Sequence, residues 1–206
     1  MTASPDRFKA AIEAIDAENA RDPRQVEYEG KTWPYETLYA QRMSDMLAAY
    51  DPAASEPLRL AARAQHIRRW DIPRDSYPMD RKSYHLWRTR LYGYHAEVAS
   101  GILQRAGYDP ATIQVVVDLL MKKRIKADPR MQTLEDVICL VFLRYYFQDF
   151  IAEHEDGKVI TILQRTWKKM SDAGHAAAIK LNFTERAARL IGQALSGPAT
   201  AGDSDE

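Results

Sequence analysis

The hydrophobic residues of this chain recur at helical spacing along most of its length, and this pattern limits the fold more than any other feature. Phe8, Ile12 and Ile15 fall on one face of a first helix predicted over residues 5–20. Further helices are predicted over residues 34–50, 57–70, 84 or 91 to 107, 110–122, 133–150, 158–172 and 183–195. Only residues 26–30 alternate as a strand does. The sequence therefore predicts an all-α fold with one short extended arm near residues 26–30.

Helix-capping residues support several of these boundaries. Asp109 followed by Pro110 is typical of a helix start, and Gly107 is typical of the end of the preceding helix. Thr133 and Asp136 have the spacing of a capping box, which predicts the start of a long helix.

Composition is that of an ordinary globular domain. With 206 residues, 46% of them hydrophobic and 28% charged, the chain can bury a core, and we expect one domain over residues 1–196 with a disordered acidic tail at 197–206. The single cysteine, Cys139, excludes a disulfide within the chain. No signal-peptide pattern and no stretch of about 20 apolar residues occurs, so we expect a cytoplasmic protein without a membrane partner. The sequence leaves the oligomeric state open.

The segment from residue 63 to residue 90 is rich in arginine and aromatic residues, although the formal net charge of the whole chain is zero. Guanidinium groups bind phosphate oxygens in pairs, and aromatic faces can stack on a base. This pattern predicts a binding site for a phosphate-containing small molecule or RNA. The predicted substrate-binding residues are Arg68, Arg69, Arg74, Arg81, Tyr84, Trp87 and Arg88. The alternative is a solvated loop whose arginine stems pack on aromatic rings.

Three further residues have the chemistry of metal ligands. His66, His95 and Asp136 lie on three different predicted helices, and the last two face the apolar side of their helices. Imidazole nitrogen and carboxylate oxygen suit zinc, manganese or iron, so one divalent metal is predicted, with no metal as the alternative. Glu135, beside Asp136, is the candidate general base. In the alternative interpretation, the histidines are hydrogen-bonded core residues and Asp136 only caps its helix.

The segments LAARAQHIRRW, YHAEVASGILQRAGY and LEDVICLVFL place these three residues in an order that resembles the HD superfamily of helical metal-dependent phosphohydrolases. The resemblance covers roughly residues 36–147 and implies a single HD-like helical domain. Tyr39 stands where that family has its first histidine, and Ile67 stands where it has the metal-bridging aspartate. The resemblance therefore implies a site with one metal or none.

Four motifs also resemble, over most of the chain, the family called domain of unknown function 4202. They are AQHIRRWDIPR, YPMDRKSYHLWR, LEDVICLVFL and TWKKMS. This resemblance implies a family but no activity.

Three classes of function follow from these residues. The first is a metal-dependent phosphohydrolase acting on a nucleotide or another phosphate ester, and the second is a non-catalytic nucleotide- or RNA-binding protein that has lost the metal. A metal-dependent oxygenase is the third, by analogy with other HD-like proteins. The chain has neither the Walker loop of P-loop enzymes nor the alternating strands that a class I aminoacyl-tRNA synthetase requires.

Overall fold

The computed structural model describes residues 5–123 and 128–196. The chain folds into two compact units, residues 1–134 and residues 135–206. Most of the described residues are helical, which confirms the predicted all-α class. The single-domain organisation and the HD-like core stay predictions, and the predicted tail at 197–206 lies outside the described residues.

The first unit consists of helices with one small antiparallel hairpin. Its elements are α1 (Pro5–Asn19), β1 (Gln25–Tyr28), β2 (Lys31–Pro34), α2 (Tyr35–Tyr50), α3 (Glu56–Arg63), α4 (Arg81–Arg105) and α5 (Pro110–Leu120), followed by the start of α6 (Pro129–Val141). The fully buried side chains Ile15, Met43, Leu60 and Leu103 come from four different helices of this unit. These residues belong to the apolar faces that the helical spacing predicts.

The predicted extended arm is the first strand of a hairpin. β1 pairs with β2 in register Gln25↔Pro34, and the two turn residues Glu29 and Gly30 both have positive φ, 51° and 73°. Two left-handed residues in a two-residue connection match the twist of the strands, and glycine takes that conformation without strain. The second strand, Lys31–Pro34, was not predicted.

The third helix ends earlier than its hydrophobic pattern predicts, at Arg63 rather than near residue 70. The buried Arg63 guanidinium holds Asp16 of α1 through two bonds of 2.6 and 2.7 Å. Beyond it, Arg68 takes a left-handed conformation with φ 53°, which a helix cannot contain. Residues 64–68 therefore form turns, and His66 lies in these turns rather than on the helix.

The boundaries of the next two helices follow their caps. Asp80 accepts a bond of 2.8 Å from the Ser83 amide, so α4 begins at Arg81, before either predicted start. Asp109 caps α5 in the same way, with 2.9 Å to the Thr112 amide, which confirms the predicted start of that helix. Gly107, with φ 80°, follows α4 as predicted.

The second unit contains the end of α6, α7 (Phe147–Glu153), α8 (Asp156–Lys169), α9 (Asp172–Ala178) and α10 (Glu185–Ser196). The predicted capping box is wrong, because α6 begins at Pro129 and the Thr133 hydroxyl donates to the Pro129 carbonyl inside the helix. A π-helical turn at Phe142–Tyr146 interrupts the long helix predicted to reach residue 150. Among the described residues, no helix has the length and apolar character needed to cross a membrane.

Candidate functional site

His66 lies on the first unit's surface with its ring held in one plane. The ring stacks on Tyr39 of α2, with centroids 3.9 Å apart and an interplanar angle of 9°. About a quarter of the side chain, 24%, is exposed, so a ligand can reach it. Tyr39 occupies the position where the HD resemblance has a histidine, and here that side chain is a stacking platform for His66.

Glu36, in the first turn of α2, is the buried acid beside His66. Its Oε2 lies 3.4 Å from His66 Nδ1, and its Oε1 accepts a bond of 2.8 Å from Arg24. Asp22 anchors this arrangement, because its carboxylate binds the Arg24 guanidinium and also accepts from the Glu36 amide at 3.0 Å. Burial raises the pKa of the Glu36 carboxyl, and the bond from Arg24 opposes that effect.

His95 of α4 is the second histidine of this region. Its ring centroid is 6.1 Å from that of His66, so the structure brings these two predicted residues together. His95 Nδ1 donates to the Ile67 carbonyl at 2.7 Å, which leaves Nε2 as the acceptor nitrogen of a neutral ring. Burial lowers the pKa of His95 to about 3, so the imidazole is neutral at physiological pH.

Arg69 extends over the solvent side of His66. Its Nη1 donates to His66 Nε2 at 3.3 Å, and its guanidinium carbon lies 4.8 Å from the centre of the Trp87 ring. Trp87 is buried and fixed by a bond of 2.9 Å from its indole nitrogen to the Ile72 carbonyl. The Trp87 ring therefore packs against the Arg69 guanidinium in a cation–π contact.

Two more cations approach from α4 and from the end of α5. Arg88 donates to the Tyr92 hydroxyl, and its guanidinium carbon lies 5.7 Å from the centre of the Tyr84 ring. Lys122 Nζ lies 5.5 Å from the centre of the Tyr92 ring. The Tyr84 ring is 40% exposed.

Four cations lie near enough to the His66 ring to affect its pKa. Burial, the largest cause, together with nearby cations holds the pKa of His66 well below its ordinary value. These cations are Arg69, Lys122, Arg88 and Arg24. We call the group formed by Glu36, His66, Arg69, Arg88, His95 and Lys122 the His66 pocket.

The remaining arginines of the predicted binding segment have different surroundings. Arg68 pairs with Asp71 at 2.7 Å. Arg74 donates to the carbonyls of Tyr77 and Asp80 at 3.0 and 3.3 Å, so it braces the loop before α4. Arg81 is an exposed residue in the first turn of α4. Of the predicted binding residues, Arg69, Tyr84, Trp87 and Arg88 are in or beside the His66 pocket. The Arg74 guanidinium carbon also lies 5.7 Å from the centre of the Tyr84 ring and 5.8 Å from the centre of the Trp87 ring.

Asp136 and Glu135 belong to the second unit, and both are buried. The Asp136 carboxylate accepts two bonds from Ser171, 2.8 Å from its amide and 2.5 Å from its hydroxyl. Ser171 in turn caps α9 by accepting from the Gly174 amide at 3.1 Å. Asp136 thus stabilises the start of α9, and its predicted role as a metal ligand stays a prediction.

The metal prediction can be compared with the nitrogen and oxygen atoms of the His66 pocket that could bind a metal. Within the described residues, Glu36 Oε2, His66 Nδ1 and His95 Nε2 are buried and have no hydrogen-bond partner. Imidazole nitrogen and carboxylate oxygen are ligands for divalent metals, yet the described parts of the chain contain no group of three or more His, Cys, Asp or Glu side chains placed to hold one. The cations around His66 would also repel a divalent metal and attract an anion.

Sequence reasoning missed Glu36, Arg24 and Lys122. Glu36 follows Pro34 in the first turn of a helix, where an acidic residue is expected for its effect on the helix dipole alone. The pairing of Asp22 and Arg24 two residues apart was the available signal, because it marks an ordered loop just before that helix.

Comparison with known proteins gives a family and no further relative. The family model described as Domain of unknown function (DUF4202) matches residues 9–191. The search of curated proteins and the search of solved structures gave no match.

Proposed function

The chain belongs to the family described as Domain of unknown function (DUF4202), and from the His66 pocket we propose that it binds a ligand carrying a phosphate group. One observation carries the proposal: Arg69 donates to Nε2 of the partly exposed His66 ring at 3.3 Å, and Arg88 and Lys122 each lie 5.5 Å from the centre of the Tyr92 ring. A phosphate oxygen can accept bonds from guanidinium and ammonium groups, and such charge-assisted bonds are stronger than neutral ones.

The pocket favours a nucleotide or RNA over a bare phosphate ester. Tyr84 is exposed beside Arg88, and an exposed aromatic ring next to a phosphate-binding arginine can stack on a base. Arg74 also lies close to this ring, with its guanidinium carbon 5.7 Å from the ring centre. The proposed ligand therefore places phosphate at Arg69 and Arg88 and a base at Tyr84.

Isothermal titration with inorganic phosphate, a nucleoside monophosphate and a short single-stranded RNA tests this proposal. Arg69→Gln and Arg88→Gln each remove one cation from the His66 pocket and keep much of the side-chain volume. Each should weaken binding by about tenfold or more, because a charge-assisted bond is lost. Arg90→Gln is the matched control, since Arg90 is an exposed arginine on the same helix and should leave binding unchanged.

Salt dependence gives a second measurement of the same proposal. Binding should weaken as sodium chloride rises, because salt screens the attraction between phosphate and the pocket. Tyr84→Ala should weaken binding of the nucleotide and RNA but not of inorganic phosphate. Equal binding by Arg69→Gln, Arg88→Gln and Arg90→Gln would contradict the proposal.

A metal-dependent phosphohydrolase is the second candidate. The unpartnered buried atoms of Glu36, His66 and His95 favour it, since a metal accepts such donors. Its ligands in the first unit would be His66 and His95, beside Glu36, and the metal would supply an activated water. Elemental analysis of protein purified without chelator tests it: zinc, manganese or iron at one per chain, lost in His95→Gln and kept in Arg90→Gln, is the result that this candidate requires.

A further inference from the structure

The two ring nitrogens of His66 face opposite chemical environments. Nε2 receives a bond from Arg69 at 3.3 Å, and a guanidinium group has donors only. Nε2 must therefore be the nitrogen with the free electron pair, and Nδ1 carries the hydrogen. That hydrogen is on the side of the Glu36 carboxylate, whose Oε2 is 3.4 Å from Nδ1.

This orientation gives His66 the features of a nucleophile. An acid behind a histidine ring fixes the tautomer and stabilises positive charge that develops on the ring, as in enzymes where an aspartate orients a catalytic histidine. The stack on Tyr39 fixes the ring plane, and the network of Asp22 and Arg24 fixes Glu36. The electron pair of Nε2 points at the Arg69 guanidinium, one of the cations proposed to hold phosphate.

Cations around Nε2 also remove the main obstacle to attack on a phosphate group. A phosphoryl group repels an incoming electron pair because its oxygens are negative, and Arg69, Arg88 and Lys122 would neutralise that charge.

We propose that His66 Nε2 accepts a phosphoryl group from a phosphate-bearing donor and that Glu36 is the positioning residue for this step. The proposal rests on the proposed phosphate site and adds chemistry to it. When phosphate oxygens accept the hydrogen bonds of the Arg69 guanidinium, His66 Nε2 no longer accepts from Arg69. Its electron pair then becomes available for attack. No metal takes part in the step.

The step balances for phosphoramidate, a small donor with one phosphoryl group on nitrogen. The Nε2 electron pair forms a bond to phosphorus, the phosphorus–nitrogen bond breaks, and its electrons leave with ammonia. The ring then carries one positive charge, and the Glu36 carboxylate, with Oε2 3.4 Å from Nδ1, stabilises that charge electrostatically. Water can later attack the same phosphorus, which returns the electron pair to Nε2 and releases inorganic phosphate.

His95 is a control for His66 within the same unit, because His95 is buried and His66 is partly exposed. Its Nε2 is also an acceptor nitrogen, but the residue is 1% exposed and its ring is tied to the Ile67 carbonyl. A donor in solution can reach His66 and cannot reach His95. The proposal therefore predicts modification of one histidine of the pair.

The experiment incubates the full chain with phosphoramidate, stops the reaction in alkali and locates phosphate by mass spectrometry of peptides. The expected result is a phosphoryl group on His66 that is stable in alkali and lost in acid. An excess of inorganic phosphate should slow the labelling, because both compounds compete for one pocket. His85, an exposed histidine on α4, is the control and should label slowly and without that competition.

Two variants separate the chemical role from a structural one. His66→Gln should form no adduct at position 66. At saturating phosphoramidate, Glu36→Gln should label His66 more than about tenfold more slowly than wild type, because the ring loses the charge that positions it, and Glu36→Asp should recover part of the rate. Arg90→Gln, outside the His66 pocket, should label His66 at the wild-type rate. A merely structural role of Glu36 would leave the saturated labelling rate of Glu36→Gln unchanged.

Different failures have different meanings. If wild-type protein binds inorganic phosphate but acquires no phosphoryl group on His66, the nucleophile inference is overturned and the proposed binding function stands. Labelling of His66 and His85 at equal rates, unaffected by inorganic phosphate, would overturn it as well. If inorganic phosphate does not bind at all, the proposed function fails, and this inference fails with it.

Discussion

Gly174→Ala should destabilise the second unit, although replacing glycine by alanine in a helix normally stabilises it. A Cβ at position 174 would lie 2.5 Å from Asp136 Oδ1 and 2.7 Å from Asp136 Cγ, closer than real Cβ contacts. The carboxylate must therefore move away, and its bonds to the Ser171 amide and hydroxyl must lengthen or break.

The size of the effect follows from those two bonds. Each hydrogen bond to a charged group adds about 1.5 to 3 kcal/mol to the free energy of unfolding, and alanine in a helix adds about 0.5 to 1 kcal/mol relative to glycine. We expect Gly174→Ala to lower the free energy of unfolding by about 2 kcal/mol or more. Gly192→Ala in α10 is the control: no atom lies within 4 Å of its added Cβ, so it should raise the free energy of unfolding by about 0.5 to 1 kcal/mol.

Urea denaturation followed by far-ultraviolet circular dichroism measures both values. The double variant Asp136→Ala/Gly174→Ala isolates the cause, because without the carboxylate the alanine at 174 has nothing to displace. In that background the second substitution should lose its penalty. A Gly174→Ala protein as stable as wild type, or a penalty that is the same with and without Asp136, would refute the reasoning.

Two further predictions concern the first unit. His95 has a pKa of about 3 in the folded protein and an ordinary value of 6.5, so between these values the unfolded chain takes up a proton that the folded protein does not. The free energy of unfolding should therefore fall as pH drops below about 6.5, by up to about 1.4 kcal/mol per pH unit, and His95→Gln should show a shallower fall in the same titration. His66, whose pKa is also lowered, contributes with the same sign as His95, and Glu36, whose pKa is raised, contributes with the opposite sign; both residues remain in His95→Gln. Asp80→Ala should lower the free energy of unfolding by about 1 kcal/mol through loss of the α4 cap, whereas Asp75→Ala, at an exposed position in the loop before it, should not; equal effects in thermal unfolding would disprove the capping assignment.

The sequence predicts those parts of this fold that local interactions determine. Asp109 and Pro110 start α5, and Gly107 follows α4, because capping depends on residues a few positions apart. The end of α3 at Arg63 could not be predicted from the residues around it. Arg63, the last residue of α3, pairs with Asp16, which is 47 residues away in the chain, and no local pattern shows such a contact.

The candidate site, like the fold, was predicted only in part from the sequence. His66, His95 and Asp136 were predicted to hold one metal together; the ring centroids of His66 and His95 are 6.1 Å apart, and the role of Asp136 as a ligand stays a prediction. Glu36 was missed because its sequence context is that of an ordinary first-turn acid, and only the bonds from Asp22 and Arg24 identify it as a fixed partner of His66. Five of the arginines in the segment 63–90 were predicted to bind a ligand, but the sequence could not show that Arg69 donates to His66 whereas Arg68 pairs with Asp71.

The central claim is that phosphate binds at the His66 pocket, and nuclear magnetic resonance of the histidine side chains tests it most directly. Inorganic phosphate is titrated into labelled protein, and the ring resonances of His66, His85, His154 and His175 are followed. We expect a saturable shift of the His66 resonances that weakens as salt rises, and no saturable shift of the resonances of His85, His154 and His175. A His66 ring that does not respond to phosphate, or a response confined to the exposed His85, would contradict it.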